Sequence, residues 1–172
     1  MLKVTSLPDT LPAPPPEQLK WLTTQGVSWA SLATPEVIRS AKGIRAPDGY
    51  FEPGNGSIWL GFPEVEDTIF WQPRTGELAT WTGRSFALGE AVISNPGTYS
   101  MDGRLNLFPD PLDWLRAGRD GIVVRDWSRA FDQLRDVPRI AVHGHLLKTY
   151  QQHMRPRHMP QVFVITQRRC AA

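Results

Sequence analysis

The sequence contains one cysteine, Cys170, in 172 residues. A lone cysteine cannot close an intramolecular disulfide and offers no partner for a thiolate zinc site, so both are excluded. Apolar runs are also short, well below the roughly 18 consecutive residues that predict a membrane-spanning helix. The first 16 residues lack the basic start, apolar stretch and cleavage site of a secretory signal. We therefore expect a cytoplasmic protein with no membrane partner.

Common catalytic and nucleotide-binding motifs are missing as well. The chain has no Walker-type phosphate loop, no dinucleotide-binding glycine fingerprint and no nucleophile elbow. Its net charge is only +2, so charge alone does not require a nucleic-acid partner. A chain of this length and ordinary composition can still bury a core without disulfides or metal. Function therefore has to be inferred from where individual residues are placed.

The first 98 residues predict an arm, a helical hairpin and an antiparallel meander. Residues 1–16 are proline-rich and predict a loosely attached arm. The hairpin is expected from two helical segments, Glu17 to Gln25 with Gly26 after it, and Pro35 to Lys42 with Thr34 as its N-cap. From Tyr50 to Ile93 the apolar residues alternate between turn sequences, which is typical of antiparallel strands. Residues 17–98 are thus expected to form one unit.

Residues 99–172 predict a parallel α/β layer. Helical segments at 111–117, 128–135 and 146–154 separate short apolar runs, and intervals of this length suit right-handed crossovers between parallel strands. The predicted fold class is therefore α/β, an antiparallel meander followed by a mainly parallel sheet with flanking helices. The four apolar runs are 105–108, 121–126, 139–142 and 161–165.

Polar side chains follow three of these predicted strands. Asp110, Asp126 and the pair His143 and His145 stand at or just after strand ends, where the chemistry of parallel sheets is found. Carboxylates and imidazoles there could hold a divalent metal ion or act as acid and base. Helix capping explains Asp110 equally well, because the residue directly precedes a predicted helix. The spacing of the histidines does not by itself imply that they converge on a metal.

Positive charge is concentrated in the second half of the chain. Arginine matches phosphate geometry with two parallel hydrogen bonds, so a phosphate-facing patch is one interpretation. A solvated face that interleaves arginines with aspartates is the other. The nucleic-acid contact set under the first interpretation is Arg104, Arg116, Arg119, Arg125 and Arg129.

The order of elements resembles that of bacterial and phage-plasmid DNA primases. LKWLTTQGVSWASLATPEVIRSAKGI is similar to the helical segment before the primase catalytic core, and SIWLGFPEVEDTIFWQPRTGELATWTGRSFAL to the primase strand meander. AVISNPGTYS is similar to the turn that leads into the next layer. That layer would then resemble a Toprim domain, and PLDWLRAGRDGIVV is similar to proteins of bacterial mobile elements.

The resemblance stops at the catalytic residues. A Toprim site uses a glutamate after its first strand and an Asp-x-Asp pair after its third, which hold magnesium against phosphate. Here Pro109 and Asp110 follow the first apolar run, and His143-Gly144-His145 stands where the family has Asp-Gly-Asp. Imidazoles are poor ligands for magnesium. The resemblance therefore implies a protein without primase activity.

Three functions remain open at this stage. The first is a non-catalytic protein of a mobile element, without a cofactor, that binds DNA or a replication protein. The second is a metal-dependent phosphotransfer or hydrolytic enzyme that uses Asp110, Asp126, His143 and His145 with a divalent ion such as manganese or zinc. The third is a protein-binding inhibitor or assembly factor that engages a host protein through the proline-rich arm and exposed aromatic residues. The sequence does not specify an oligomeric state.

Overall fold

The computed structural model describes residues 11–155. They contain five α-helices and nine strands. The helices are α1 (Pro16–Thr24), α2 (Trp29–Ala33), α3 (Pro111–Arg116), α4 (Ala130–Leu134) and α5 (Leu147–His153). The strands are β1 (Arg39–Arg45), β2 (Phe51–Pro53), β3 (Ser57–Pro63), β4 (Thr68–Trp71), β5 (Leu78–Thr80), β6 (Ala87–Leu88), β7 (Leu105–Leu107), β8 (Val123–Val124) and β9 (Ile140–Val142).

The main sheet is an antiparallel half-barrel in the order β2-β1-β3-β4-β5. Its longest ladder joins β1 to β3, with Ala41 opposite Trp59. The sheet curls because the end strands approach each other. Tyr50 forms a parallel bridge with Thr80, and the Thr80 amide donates to the Gly49 carbonyl at 3.2 Å. The half-barrel is therefore almost closed between its first and last strands.

Both faces of the half-barrel are apolar. On the inner face, Phe51 stacks on Phe70 with ring centroids 3.9 Å apart, and Trp59 packs edge-on against Phe51. On the outer face, strand residues such as Leu60 and Ile69 pack against the helices. A strand that is buried on both faces loses the strict polar–apolar alternation, which is why β3 and β4 are nearly continuous apolar runs.

A small layer follows the half-barrel in the chain. Here β7 pairs with β9 in parallel, with Leu105 opposite Ile140. One parallel bridge joins Leu107 to Ile122, and β8 then pairs with β6 in the antiparallel direction. Buried side chains from these strands and from α4 form a second core around Leu105. The three helices predicted in this region are present as α3, as a short 3₁₀ turn plus α4, and as a second 3₁₀ turn plus α5.

The predicted fold class is wrong, because the main sheet is antiparallel. Among residues 11–155, the parallel ladder contains three residue pairs, between β7 and β9. The described run at 121–126 contributes a single parallel bridge through Ile122, and two of its residues pair with an antiparallel partner, β6. The meander predicted from Ser57 onwards is confirmed, since β3, β4 and β5 pair consecutively. The run at 161–165 lies outside the described residues.

The predicted helix from Pro35 to Lys42 is also wrong. Half of that segment belongs to β1, and the second helix is α2, which Ser28 caps by accepting the Ser31 amide at 3.1 Å. Strand pairing with β3 overrides the local helical pattern. The first predicted helix is confirmed as α1, and Gly26 adopts a left-handed φ of 88° just after it.

The described part of the proline-rich arm is attached to the sheet. Ser40 of β1 donates its amide to the Pro12 carbonyl at 2.8 Å and its hydroxyl to the Ala13 carbonyl at 3.0 Å. Leu11 packs against the inner aromatic cluster, and Pro14 is buried. The expectation of a loose arm is therefore wrong for residues 11–15, and residues 1–10 lie outside the description. No helix between residues 11 and 155 has the length and apolarity of a membrane span.

Candidate functional site

The carboxyl ends of β7 and β9 lie side by side, as expected for parallel strands. The His143 amide donates to the Leu107 carbonyl at 3.2 Å, which fixes the chain where β9 ends. The side chains that follow these strands nevertheless have different roles. Asp110 and Asp126 cap helical turns, whereas His143 and His145 are exposed.

The two aspartates are occupied as caps. One carboxylate oxygen of Asp110 accepts the Asp113 amide at 3.0 Å at the start of α3. Asp126 accepts the Ser128 amide at 3.0 Å in the same way. Partial burial by itself raises the pKa of Asp126, but hydrogen bonds from Ser128 and the nearby arginine charges outweigh burial and lower the pKa. Capping thus accounts for both residues without any catalysis.

His143 and His145 form a pair of their own. Their ring centroids are 5.2 Å apart and their planes are inclined by 23°. Among residues 11–155, no group of three or more histidine, cysteine, aspartate or glutamate side chains is arranged to hold a metal ion. Asp110, Asp126, His143 and His145 are not arranged as such a group.

The five arginines predicted to bind nucleic acid occupy different environments. Arg104 is exposed directly before β7. Arg116 donates through Nε to the Gln25 carbonyl at 2.7 Å and pairs with Asp113 at 3.0 Å. It thereby ties α3 to the end of α1, which gives Arg116 a structural role.

Arg119 is buried, with 7% of its surface exposed. Its guanidinium lies against the rings of Phe62 and Trp114, and Nη1 donates to the Glu36 carbonyl at 2.8 Å. Nε and Nη2 have no hydrogen-bond partner among the described residues. Burial lowers the pKa of Arg119 to about 10, although the charges of Glu64 and Glu36 oppose the shift. A buried guanidinium is unsuited to the predicted phosphate contact.

Arg125 and Arg129 instead converge on one loop, residues 83–85. Arg125 donates through Nε and Nη2 to the Ser85 carbonyl at 3.2 and 2.9 Å. Arg129 donates through Nη1 to the Arg84 carbonyl at 2.7 Å. Arg84 itself points to solvent, with 66% of its side chain exposed. We refer to Arg84, Arg125 and Arg129 as the arginine cluster.

An aromatic ring borders the arginine cluster. Tyr50 is 40% exposed and packs against Gly83, where a methyl group would lie only 2.6 Å from the tyrosine hydroxyl. Glycine at position 83 therefore allows the ring to lie against the loop. Arg45, which is also exposed, donates through Nε to the Leu78 carbonyl at 3.0 Å near the same closure of the half-barrel.

A buried carboxylate holds the loop that carries the cluster. Burial by itself raises the pKa of Asp67, but its hydrogen bonds outweigh burial and lower it. One oxygen accepts the amides of Thr82 at 2.8 Å and Trp81 at 3.0 Å, and the other accepts the Ser85 amide at 3.1 Å. The Thr68 amide and the Thr80 hydroxyl complete the set. Asp67 thus fixes the backbone on which Arg84 stands.

A small acidic pocket opens beside the same loop. Glu64 accepts the Gly89 amide at 2.6 Å. Burial raises the pKa of Glu64 to about 7, the Gly89 hydrogen bond and the Arg119 charge oppose the rise, and the negative charge of Glu90 adds to it. A carboxyl of this kind is half-protonated near neutral pH. The pocket is lined by Glu64, Val65, Glu66, Arg84, Ser85 and Glu90.

Sequence reasoning did not identify Arg84, Tyr50, Glu64 or Asp67. Arg84 and Tyr50 lie in turn sequences, and their proximity depends on the closure of the half-barrel rather than on any motif. Glu64 and Asp67 lie in the Pro63-Glu64-Val65-Glu66-Asp67 turn, which looks like an ordinary solvated turn. The segments packed on that turn bury Asp67 and half-bury Glu64.

Comparison with known proteins adds no family assignment. The chain matches no family model, no curated protein and no solved structure. The geometry of the described residues is therefore the basis for inferring a function.

Proposed function

We propose that the protein is a non-catalytic nucleic-acid-binding protein whose contact surface is the arginine cluster, bordered by Tyr50. The observation that carries this proposal is the convergence of Arg125 and Arg129 on the loop that presents Arg84. Arg125 and Arg129 belong to the set of five arginines predicted from the sequence, whereas Arg84 does not. Residence in the cytoplasm, where nucleic acid is available, is part of the proposal.

The cluster retains hydrogen-bond donors for phosphate. A guanidinium carries five N–H donors. Arg125 uses two of them on the Ser85 carbonyl, and Arg129 uses Nη1 on the loop carbonyls, so at least three remain on each. Because these side chains are already ordered by the carbonyls, binding phosphate costs less side-chain entropy than it would for free arginines.

Neighbouring acidic groups offset part of the cluster charge, since Glu64, Glu66 and Glu90 line a pocket together with Arg84. Glu66 approaches Arg84 at 3.8 Å, but both side chains are 66% exposed, and such surface pairs contribute little. Asp126 keeps its charge in the cap with Ser128, and the Arg125 and Arg129 charges help to lower its pKa, so this carboxylate offsets part of the cluster charge. Tyr50 offers an exposed ring that can contact sugars or bases. The capped state of Asp110 and Asp126 supports the non-catalytic part of the proposal.

Fluorescence anisotropy with labelled DNA and RNA oligonucleotides at several salt concentrations tests the proposal. Arg84→Ala should weaken binding and reduce the salt dependence of the affinity by roughly one phosphate contact. Arg74→Ala is the matched control, because Arg74 is exposed in the turn before β5, whereas the cluster lies after β5. Arg104→Ala tests the remaining exposed member of the sequence-predicted set.

Two results would contradict the proposal. One is the absence of binding by the unaltered protein at low salt. The other is an equal loss of affinity in Arg84→Ala and Arg74→Ala, which would indicate a diffuse charge effect. Arg125→Lys is a further check, because lysine keeps the charge but cannot reproduce the paired donors of arginine to the Ser85 carbonyl.

A further inference from the structure

We infer that His143 and His145 form a surface site for a divalent transition-metal ion such as zinc or nickel. The site is separate from the arginine cluster and does not depend on the proposed function. It lies where β9 ends, and both imidazoles are exposed to solvent.

The separation of the two rings matches chelation of one ion. A zinc–nitrogen bond of about 2.0–2.1 Å places an imidazole centroid about 3.2 Å from the metal, so a tetrahedral angle separates two centroids by about 5.2 Å. The observed separation is 5.2 Å, with the ring planes 23° apart. The rings are stacked, so rotations about the side-chain torsions are needed to bring one nitrogen of each ring onto a shared ion.

The backbone between the two ligands is already fixed. The His143 amide is bonded to the Leu107 carbonyl at 3.2 Å, and the His143 carbonyl accepts the Leu146 amide at 2.8 Å in a 3₁₀ turn. Little backbone entropy is therefore lost when an ion binds. Beside Gly144 the surface is open, since no atom outside residues 143–145 lies within 4 Å of where a side chain at this position would begin. An ion can keep water in its remaining coordination positions.

The donor set determines which ions are accepted. Neutral imidazole suits zinc, nickel and copper, whereas magnesium and calcium prefer oxygen ligands. With only two protein ligands the ion is held weakly and remains open to exchange. The site thus selects borderline transition metals and excludes magnesium.

Isothermal titration calorimetry of the full chain, without an affinity tag, tests the site with zinc chloride and with magnesium chloride. One zinc ion per chain and no heat from magnesium are expected. His143→Ala and His145→Ala should each lower zinc affinity roughly tenfold or more. His153→Ala is the matched control, because His153 packs against Trp127 with centroids 5.8 Å apart and should leave zinc binding unchanged.

Far-ultraviolet circular dichroism of each variant checks that the fold is intact, which the exposure of both imidazoles leads us to expect. Zinc-dependent dimerisation in sedimentation experiments would also support the site if His143→Ala abolishes it, because a second copy would then complete the coordination. Undiminished zinc binding by the double variant, or no binding by the unaltered chain at millimolar zinc, would overturn the inference.

Discussion

The half-barrel and the small layer use their carboxyl groups differently. In the half-barrel, Asp67 is buried and accepts hydrogen bonds from five donors. In the small layer, Asp110 and Asp126 are half-buried, and each accepts one backbone amide as a helix cap. A carboxyl group at the end of a strand can therefore serve only as a local helix cap. A carboxyl group in a turn that looks solvent-exposed in the sequence can instead hold backbone segments that are distant in the chain.

The largest expected effect is on Asp67. Asp67→Asn replaces one accepting oxygen by an amino group, so the Ser85 amide and the Thr80 hydroxyl lose their acceptor. Because unsatisfied buried donors each cost 1–3 kcal/mol, we expect a loss of about 3 kcal/mol in the free energy of unfolding at neutral pH. Urea denaturation measures it. Glu66→Gln, at an exposed neighbour, should change the free energy by less than about 0.5 kcal/mol.

The pH dependence of this loss has a definite sign. The pKa of Asp67 is lower in the folded protein than its ordinary value, because hydrogen bonds outweigh burial. Its stabilisation is therefore present above the ordinary aspartate range and is lost as the pH falls through the folded pKa. The difference in the free energy of unfolding between the unaltered protein and Asp67→Asn should therefore decrease at acidic pH. A difference in the free energy of unfolding that stays constant down to strongly acidic pH would contradict this role of the ionised carboxylate.

Glu64 should show the opposite sign and a smaller effect. Burial raises its pKa to about 7, so the folded protein retains a proton that the unfolded chain releases. Stability is then lost as the pH rises from the ordinary glutamate range to about 7 and levels off above it. Glu64→Gln removes this dependence and should be about 1–2 kcal/mol more stable than the unaltered protein at pH 8.

Thermal and urea unfolding at pH 5 and pH 8 measure the difference in stability between the unaltered protein and Glu64→Gln. At pH 5 the two proteins should be nearly equal, because Glu64 is mostly protonated when folded and its amide replacement can still accept the Gly89 amide. Greater stability of the unaltered protein at pH 8 would show that the Arg119 charge stabilises the Glu64 carboxylate more than burial destabilises it.

Local sequence patterns predicted the parts of the fold that depend on local structure. Asp110 before Pro111 predicts the cap of α3, and Gly26 predicts the end of α1. Alternation from Ser57 predicts the meander, because side chains in a strand repeat every two residues. The small-layer helices are also present near their predicted bounds.

Long-range contacts determine what the sequence could not predict. The Pro35–Lys42 segment has a helical pattern, yet Ala41 pairs with Trp59 in the half-barrel. The predicted parallel sheet is larger than the observed one, because an apolar run does not reveal the direction of its partner strand. Val124, for example, pairs with Ala87 in the antiparallel direction. The arginine cluster depends on Arg125 reaching a carbonyl 40 residues away in the chain, for which no sequence spacing gives a signal.

The smallest expected change in stability concerns Asp110, and it separates capping from catalysis. Serine caps helices about as well as aspartate, so Asp110→Ser should alter the free energy of unfolding by only a few tenths of a kcal/mol, whereas Asp110→Ala should cost about 1 kcal/mol. Polymerisation and phosphate-ester hydrolysis assays with magnesium, manganese or zinc should show no product above a no-protein control for any of the three proteins. Because Asp110→Ser keeps the cap and removes the carboxylate, a template-dependent product that this variant loses while remaining folded would assign catalysis to Asp110. Such a product would contradict the non-catalytic function proposed here, since capping alone would no longer account for a carboxylate at the end of β7.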